Sequence, residues 1–117
     1  MNEFGLGKLI LDSSSLPNGW THLSNPYFYT SPSGKTTLFY ASRDTEGRSH
    51  VWGIDVVEHK GSVRAVGTPD LYLSPGSLGD FDADGVVPST IAMNGGETFL
   101  YYVGWQLLPN GLYQTAR

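Results

Sequence analysis

The chain has 117 residues, of which 39% are hydrophobic and 13% aromatic, with 15 glycines, 7 prolines and no cysteine. This length supports one domain with a modest core, and the lack of cysteine excludes disulfides, thiolate-bound metals and thiol redox chemistry. The net charge is −4 and the basic residues are scattered singly, so the sequence predicts no nucleic-acid partner.

The amino-terminal stretch MNEFGLGKLILD carries an acidic residue and only a short apolar run. This is not the pattern of a signal peptide. No stretch of the sequence approaches the roughly 20 apolar residues that a membrane-spanning helix needs. The sequence therefore predicts a cytoplasmic protein with no membrane partner.

Short alternating or aromatic-rich runs recur along the chain, separated by turn signals such as SPSG, DTEG, NGG and PNG. Each run has the length and composition of a β-strand, which favours an all-β fold with almost no helix. We expect a meander of antiparallel hairpins in two adjacent sheets. The predicted strands are, in chain order, residues 8–11, 27–30, 36–42, 50–57, 62–66, 87–93, 98–105 and 112–115.

The chain contains an internal repeat with an offset of 62 residues. Without a gap, PYFYTSPSGKTTLFYASR (residues 26–43) aligns with PSTIAMNGGETFLYYVGW (residues 88–105). A unit of several strands at a fixed period is typical of blade or solenoid repeats. The matched positions are Pro26 with Pro88, Gly34 with Gly96, Thr36 with Thr98, Leu38 with Leu100, Phe39 with Tyr101 and Tyr40 with Tyr102.

Two segments, FYASRDTEGRSHVWGIDV (residues 39–56) and LGDFDADGVVPS (residues 78–89), resemble the opening of the five-bladed β-propeller glycosidase superfamily. That superfamily includes invertases, levansucrases and arabinanases, and the chain looks closest to its uncharacterised members. The resemblance implies antiparallel four-stranded blades in a truncated propeller. It places the first blade, with an N-terminal strand, in residues 1–75 and an incomplete second blade in residues 76–117.

In this superfamily, carboxylates on several blades line an axial funnel, and two of them must flank a glycosidic bond to cleave it. The first of these is expected near residues 23–26, where the chain reads LSNP and Asn25 replaces the expected aspartate. The resemblance makes Asp84 the candidate catalytic residue. The candidate sugar-binding residues are His22, Asn25, Arg43, Asp44, Asp82 and Trp105.

The resemblance implies a non-catalytic fragment that serves as a carbohydrate-binding or assembly module. The alternative is a glycoside hydrolase for β-fructoside or arabinoside-type sugars, with an active site completed by oligomerisation. No cofactor or metal is expected, because the histidines lack metal-ligand spacing. We also find no Ser-His-Asp order, Walker loop or dinucleotide fingerprint.

Simpler structural roles remain open for the same residues. Asp80, Asp82 and Asp84 could cap a turn or hold a calcium ion, although the EF-hand spacing is missing. His22 could be structural, and Arg43 could pair with Asp44 at a hairpin end. Trp20, Trp52 and Trp105 could stack on sugars or pack between sheets.

A homo-oligomer is expected, because a partial blade leaves strand edges and an apolar face without a neighbour. A two-fold dimer is favoured, since it is the commonest closed symmetry. The predicted contact edges are residues 8–11 and 112–115.

Overall fold

A computed structural model describes residues 10–12, 14, 16–111 and 113–116. No α-helix occurs in these residues, and hence none with the length and apolar character to cross a membrane. The all-β prediction is therefore confirmed. The strands are β1 (Thr21–Thr30), β2 (Thr36–Arg43), β3 (Ser49–His59), β4 (Ser62–Leu73), β5 (Gly85–Asn94), β6 (Glu97–Leu107) and β7 (Tyr113–Ala116).

The seven strands form one open sheet in the order β1-β2-β3-β5-β6-β7, with β4 also paired to β3. Strands β1 to β4 pair antiparallel with their neighbours along the chain, and so do β5 to β7. We call these the first meander and the second meander. Their ladders join through a parallel bridge between Ser49 and Gly85, so the predicted pair of sheets is one continuous sheet. The blade assignment and the boundary at residues 75 and 76 stay predictions.

Two strands are longer than predicted because bulges absorb residues that look like strand breakers. The predicted strand at residues 62–66 continues to Leu73. Gly67 (φ 76°) and Pro69 lie where the β3–β4 register shifts. Pro69 is tolerated because β4, in the part of the chain described, pairs only with β3. Likewise β1 begins at Thr21, well before predicted residue 27, and its register shifts twice.

Of the strands predicted at the two ends of the chain, only the C-terminal one corresponds to a strand in the described part of the structure. Residues 8 and 9 of the first predicted strand lie outside the described residues, and residues 10 and 11 are not in a strand. The strand predicted at residues 112–115 corresponds to β7, although residue 112 itself lies outside the described part.

One core lies between the two meanders. It contains Phe39 and Val51 from the first meander and Val86 and Ile91 from the second. Val51 and Val86 have no exposed surface. Burial of such a side chain is worth about 1.5–3 kcal/mol, so this contact helps to hold the two meanders together.

A second core covers the opposite face of the first meander. Alternation along β2 directs Leu38 and Tyr40 to this face and Phe39 to the other. Ile54 and Val56 complete the buried cluster, and the partly buried residues around it include Ile10, Leu11 and Leu16. Burial raises the pKa of Tyr40 to about 12. Strand β2 is thus covered on both faces.

The bulges of the two meanders support the internal repeat. On β1 the register shifts between Ser24 and Tyr27, around Pro26 and opposite Tyr40. On β5 it shifts just after Pro88, which pairs with Tyr102. The 62-residue offset therefore matches both the prolines and the tyrosines that they face.

Candidate functional site

The ends of six strands meet at one end of the sheet. Thr21 pairs with Arg43, Arg43 with Ser49, Ser49 with Gly85, and Gly85 with Trp105. Strand β4 ends beside the start of β3. We call this region the polar end and define it as residues 20–22, 42–50, 73–85 and 105–107.

The polar end brings together most of the predicted site residues. Asn25 is the exception, because it lies further along β1 in the bulge that faces Tyr40, where it adopts a left-handed φ of 53°. The predicted residues within the polar end are His22, Arg43, Asp44, Asp82, Asp84 and Trp105. Residues that are far apart in the sequence therefore share one surface.

A chain of hydrogen bonds links Ser74, His50 and Asp44. The His50 Nε2 atom lies 2.7 Å from Asp44 Oδ2, and its Nδ1 atom lies 3.0 Å from Ser74 Oγ. The side chains of His50 and Asp44 are only 12% and 18% exposed. With its proton on Nε2, the His50 ring donates to the carboxylate and accepts from the hydroxyl.

The Asp44 carboxylate is fixed by its own turn. Its Oδ1 atom accepts hydrogen bonds from the backbone N–H groups of Glu46 at 2.9 Å and Arg48 at 3.0 Å. Burial raises the pKa of Asp44, but the hydrogen bonds from His50, Arg48 and Glu46 outweigh burial and leave the pKa below its ordinary value. Asp44 is therefore ionised at neutral pH, and it orients the His50 ring.

One tryptophan ring borders these hydrogen-bonded side chains, and a second tryptophan ring packs against the first. The Trp20 ring centroid lies 4.8 Å from the His50 ring and 5.2 Å from the Trp52 ring, which it meets edge-on. Such ring pairs contribute about 0.5–1.5 kcal/mol beyond area burial. Trp52 packs against the core that contains Leu38 and Tyr40, so Trp20 connects that core to the polar end.

The three aspartates before β5 hold the loop and the adjoining strand. Asp80 Oδ2 accepts from the Ser77 N–H at 2.8 Å, and Asp84 Oδ2 accepts from the Leu107 N–H at 2.6 Å. The Asp80 bond matches the turn-capping explanation left open by the sequence, whereas the Asp84 bond ties the loop to the end of β6. Among the described residues, no group of three or more histidine, aspartate or glutamate side chains is arranged to hold a metal ion.

Asp82 has a different role, because its side chain is buried. Its Oδ2 atom accepts a hydrogen bond from the Tyr102 hydroxyl at 3.0 Å. Burial and the Asp82 carboxylate raise the pKa of Tyr102. Gly104 makes room for this contact, since a Cβ atom there would clash with Asp82 and with the Phe81 ring.

The polar end also holds an arginine-lined cavity of about 440 Å³ between the β2–β3 turn and the loop before β5. Arg48 bridges the two, donating from Nε to the Ala83 carbonyl at 3.1 Å and from Nη2 to the Gly76 carbonyl at 3.2 Å. The cavity is lined by Glu46, Arg48, Gly76, Ser77, Leu78 and Ala83.

Arg43 and Trp105 meet where the two meanders join. The Arg43 guanidinium lies 5.6 Å from the Trp105 ring centroid, a cation–π distance. The Trp105 Nε1 donates to Ser49 Oγ at 3.2 Å, and Ser49 in turn donates to the Val86 carbonyl at 2.9 Å. Arg43 thus lies over Trp105, whereas Asp44, its predicted ion-pair partner, bonds to His50.

Sequence reasoning missed His50, Ser74 and Arg48 as members of this site. The hairpin turn DTEG could have identified His50, because a tight turn between β2 and β3 brings Asp44 close to His50. Ser74 could not be placed, because its position depends on β4 continuing past Gly67 and Pro69. Arg48 gave no sequence signal, because its partners are backbone carbonyls.

Comparison of the chain with protein-family models, with curated proteins and with solved structures gave no match.

Proposed function

We propose that the chain is a carbohydrate-binding module with propeller-type blades, and that its polar end binds the sugar without cleaving it. The observation that carries the proposal is the convergence of six strand ends at the polar end. There, two tryptophan rings lie among charged and hydroxyl side chains. Sugars need this combination, because their C–H faces pack on rings and their hydroxyls need hydrogen-bond partners.

The cavity beside Arg48 supplies the polar part of such a site. Glu46 offers carboxylate acceptors, Ser77 offers a hydroxyl, and Arg48 offers guanidinium donors beside its two carbonyl contacts. Trp20 supplies a ring that packs against His50. A short oligosaccharide is therefore a better fit than a single apolar ligand.

Binding without hydrolysis is favoured because the aspartates of the loop are engaged in hydrogen bonds. Asp80 and Asp84 bond to backbone N–H groups, and Asp82 is buried against Tyr102. Glycosidic cleavage needs two carboxyl groups flanking one bond, and Asn25 stands where the resemblance expects the first of them.

The binding proposal is tested by titrating fructose- and arabinose-based oligosaccharides while recording tryptophan fluorescence and backbone amide NMR shifts. We expect shifts confined to the polar end, and we expect Trp20→Ala and Arg43→Gln to weaken binding by about tenfold. Phe28→Ala is the matched control, because Phe28 is an exposed aromatic outside the polar end. If no sugar in the panel perturbs the polar end, the proposal is wrong.

A parallel assay separates binding from glycoside hydrolysis. The chain is incubated with aryl-glycosides of the same sugars, with Asp84→Asn as the comparison. We expect no turnover from either protein. Hydrolysis by the unmodified chain that is lost in Asp84→Asn would support the alternative, an oligomeric glycoside hydrolase.

The Ser74–His50–Asp44 chain favours a second candidate function, hydrolysis of small carboxylic esters. A hydroxyl bonded to an imidazole that a carboxylate orients is the arrangement of an activated serine nucleophile. Here Nδ1 faces the serine and Nε2 faces the aspartate, the reverse of the usual order. The neutral ring can take a proton on either nitrogen, so Nδ1 can act as the base.

The steps of this reaction follow from those contacts. Ser74 Oγ bonds to the ester carbonyl carbon while its proton moves to His50 Nδ1. The bond from that carbon to the alcohol oxygen then breaks, and the alcohol leaves with the proton from His50. Water, activated by the same nitrogen, then hydrolyses the acyl group from Ser74 and releases the carboxylic acid.

A fluorophosphonate probe tests this second candidate, because it labels only activated serines. We expect label at Ser74 by mass spectrometry, its loss in Ser74→Ala, and p-nitrophenyl acetate hydrolysis reduced at least about 100-fold in His50→Gln. Ser77→Ala is the matched control, a serine of the same loop outside the hydrogen-bonded chain. Labelling no greater than that of the heat-denatured protein would exclude this function.

A further inference from the structure

The chain contains three Asn-Gly pairs, each at an exposed turn. Asparagine is a thermolabile residue, and it is most labile before glycine, which has no side chain to shield its backbone nitrogen from the asparagine carboxamide. The three pairs therefore share one chemistry but differ in their surroundings. They are Asn18-Gly19 before β1, Asn94-Gly95 between β5 and β6, and Asn110-Gly111 between β6 and β7.

Hydrogen bonds restrain two of the three pairs. Deamidation requires the glycine backbone nitrogen to lose its proton and to reach the asparagine Cγ atom. The Gly111 N–H donates to the Leu108 carbonyl at 2.9 Å, so the attacking nitrogen of that pair is engaged. Asn94 is the last residue of the β5–β6 ladder and pairs with Glu97. Its backbone is therefore held in an extended strand.

Asn18 and Gly19 lack these restraints. Within the part of the chain that the structure describes, neither residue makes a hydrogen bond, and their turn is closed by the bond from the Trp20 N–H to the Pro17 carbonyl at 3.0 Å. Both residues are exposed. The Asn18 carboxamide can therefore rotate towards the Gly19 nitrogen without the loss of a hydrogen bond.

We propose that Asn18 is a modification site, at which the chain deamidates spontaneously and faster than at Asn94 or Asn110. The Gly19 nitrogen loses its proton and bonds to Asn18 Cγ, while the Cγ–Nδ2 bond breaks and ammonia leaves with that proton. Water then opens the resulting succinimide ring. Cleavage of the ring at Cγ gives aspartate, and cleavage at the Asn18 carbonyl carbon gives isoaspartate. Water is the co-reactant, and no atom is oxidised or reduced.

The position of this turn gives the modification a consequence for the polar end. A Cβ atom on Gly19 would lie 2.8 Å from Thr45 Cγ2, so Gly19 packs against the β2–β3 turn. Trp20 follows directly and contacts the His50 ring. Isoaspartate lengthens the backbone by one carbon, and both products add a negative charge near the turn that carries Asp44. Deamidation is therefore expected to weaken the Trp20–His50 contact, and any loss of sugar binding rests in addition on the proposed function.

The test is to incubate the folded, full-length chain at mildly alkaline pH and to follow each pair by peptide mass spectrometry. Isoaspartate is identified by isoaspartyl methyltransferase labelling. We expect Asn18 to convert at least about fivefold faster than Asn110, because the Gly111 hydrogen bond adds to the barrier there. Asn94 should also convert more slowly than Asn18. In concentrated urea the three rates should converge, because the folded-state restraints are lost.

Asn18→Gln is the matched control, because one more methylene group disfavours ring closure. It should stop conversion at this position and leave the other two pairs unchanged. On ageing, the near-UV circular dichroism of the tryptophans should fall in the unmodified chain but not in Asn18→Gln. Conversion of Asn94 or Asn110 as fast as Asn18 in the folded chain would overturn the proposal, and so would an unmodified Asn18. A constant near-UV signal in the deamidated chain would overturn the predicted effect on Trp20. These readouts do not depend on whether the polar end binds sugar.

Discussion

The two meanders have similar strands but different surroundings. In the first, both faces of β2 are buried, since Leu38 packs in one core and Phe39 in the other. In the second, Leu100 packs inward while Tyr101, the equivalent of Phe39, is exposed. The alternation along an aromatic strand thus shows which residues share a face. How much each residue contributes to the free energy of unfolding depends on what packs against that face.

The largest expected difference between the meanders comes from substituting the equivalent rings. Phe39→Ala should lower the free energy of unfolding by about 3–5 kcal/mol, because it leaves a cavity between the meanders. Tyr101→Ala should change it by less than about 0.5 kcal/mol when the protein is dilute. Urea denaturation measures both, and similar losses in the two variants would show that the second meander is covered in the monomer.

Tyr102→Phe should have the next largest effect. It removes the hydroxyl that bonds to the buried Asp82 carboxylate, and an unsatisfied buried polar group costs about 1–3 kcal/mol. Tyr101→Phe, the same change one residue earlier on the exposed face, should be nearly neutral. Equal effects of the two changes would mean that the Asp82 contact does not stabilise the loop before β5.

Acid should weaken the first meander through Asp44. Its pKa is lower in the folded chain than in the unfolded chain, so its contribution is complete above the ordinary aspartate pKa of about 3.9. That contribution is lost as the pH falls through the lower, folded value. Asp44→Asn should reduce stability by about 1 kcal/mol at neutral pH and should flatten this acid dependence. Denaturation curves between neutral and strongly acidic pH provide the measurement.

The smallest effect concerns the bulge of β1. Asn25 holds a φ of 53°, a conformation that glycine adopts without steric cost. Asn25→Gly should therefore change the free energy of unfolding by less than about 0.5 kcal/mol. At the equivalent Val87 of β5, which has no left-handed φ, glycine should cost more. A large loss of stability in Asn25→Gly would mean that the exposed Asn25 side chain stabilises the fold, contrary to this prediction.

The sequence predicted the strands that keep a clear period, and β2 and β6 differ from their predictions by at most two residues at either end. It failed where a strand passes through a bulge, as β4 does at Gly67 and Pro69. Local sequence patterns indicate that a strand ends at glycine and proline, but the hydrogen bonds to β3 resume beyond these residues and the strand continues.

The site was predictable in part for a related reason. A meander brings alternate strand ends to the same end of a sheet, so Arg43 and Trp105 could be expected to share a surface. The partners of individual side chains were not predictable, because they depend on contacts across the sheet. His50 illustrates this, since its bonds to Asp44 and Ser74 require both the hairpin turn and the full length of β4.

The bridge between Ser49 and Gly85 has a consequence for the order of folding. Elsewhere in the described sheet, each strand pairs with its neighbour along the chain, so most hydrogen-bond ladders close short loops. Local hairpins of this kind form within about 1–10 μs. The contact between Ser49 and Gly85 instead joins residues far apart in the sequence. Closing this longer loop costs more conformational entropy, so the contact is expected to form after the hairpins. Each meander is thus expected to fold first, and their docking at Val51 and Val86 then determines how long the native state survives before it unfolds.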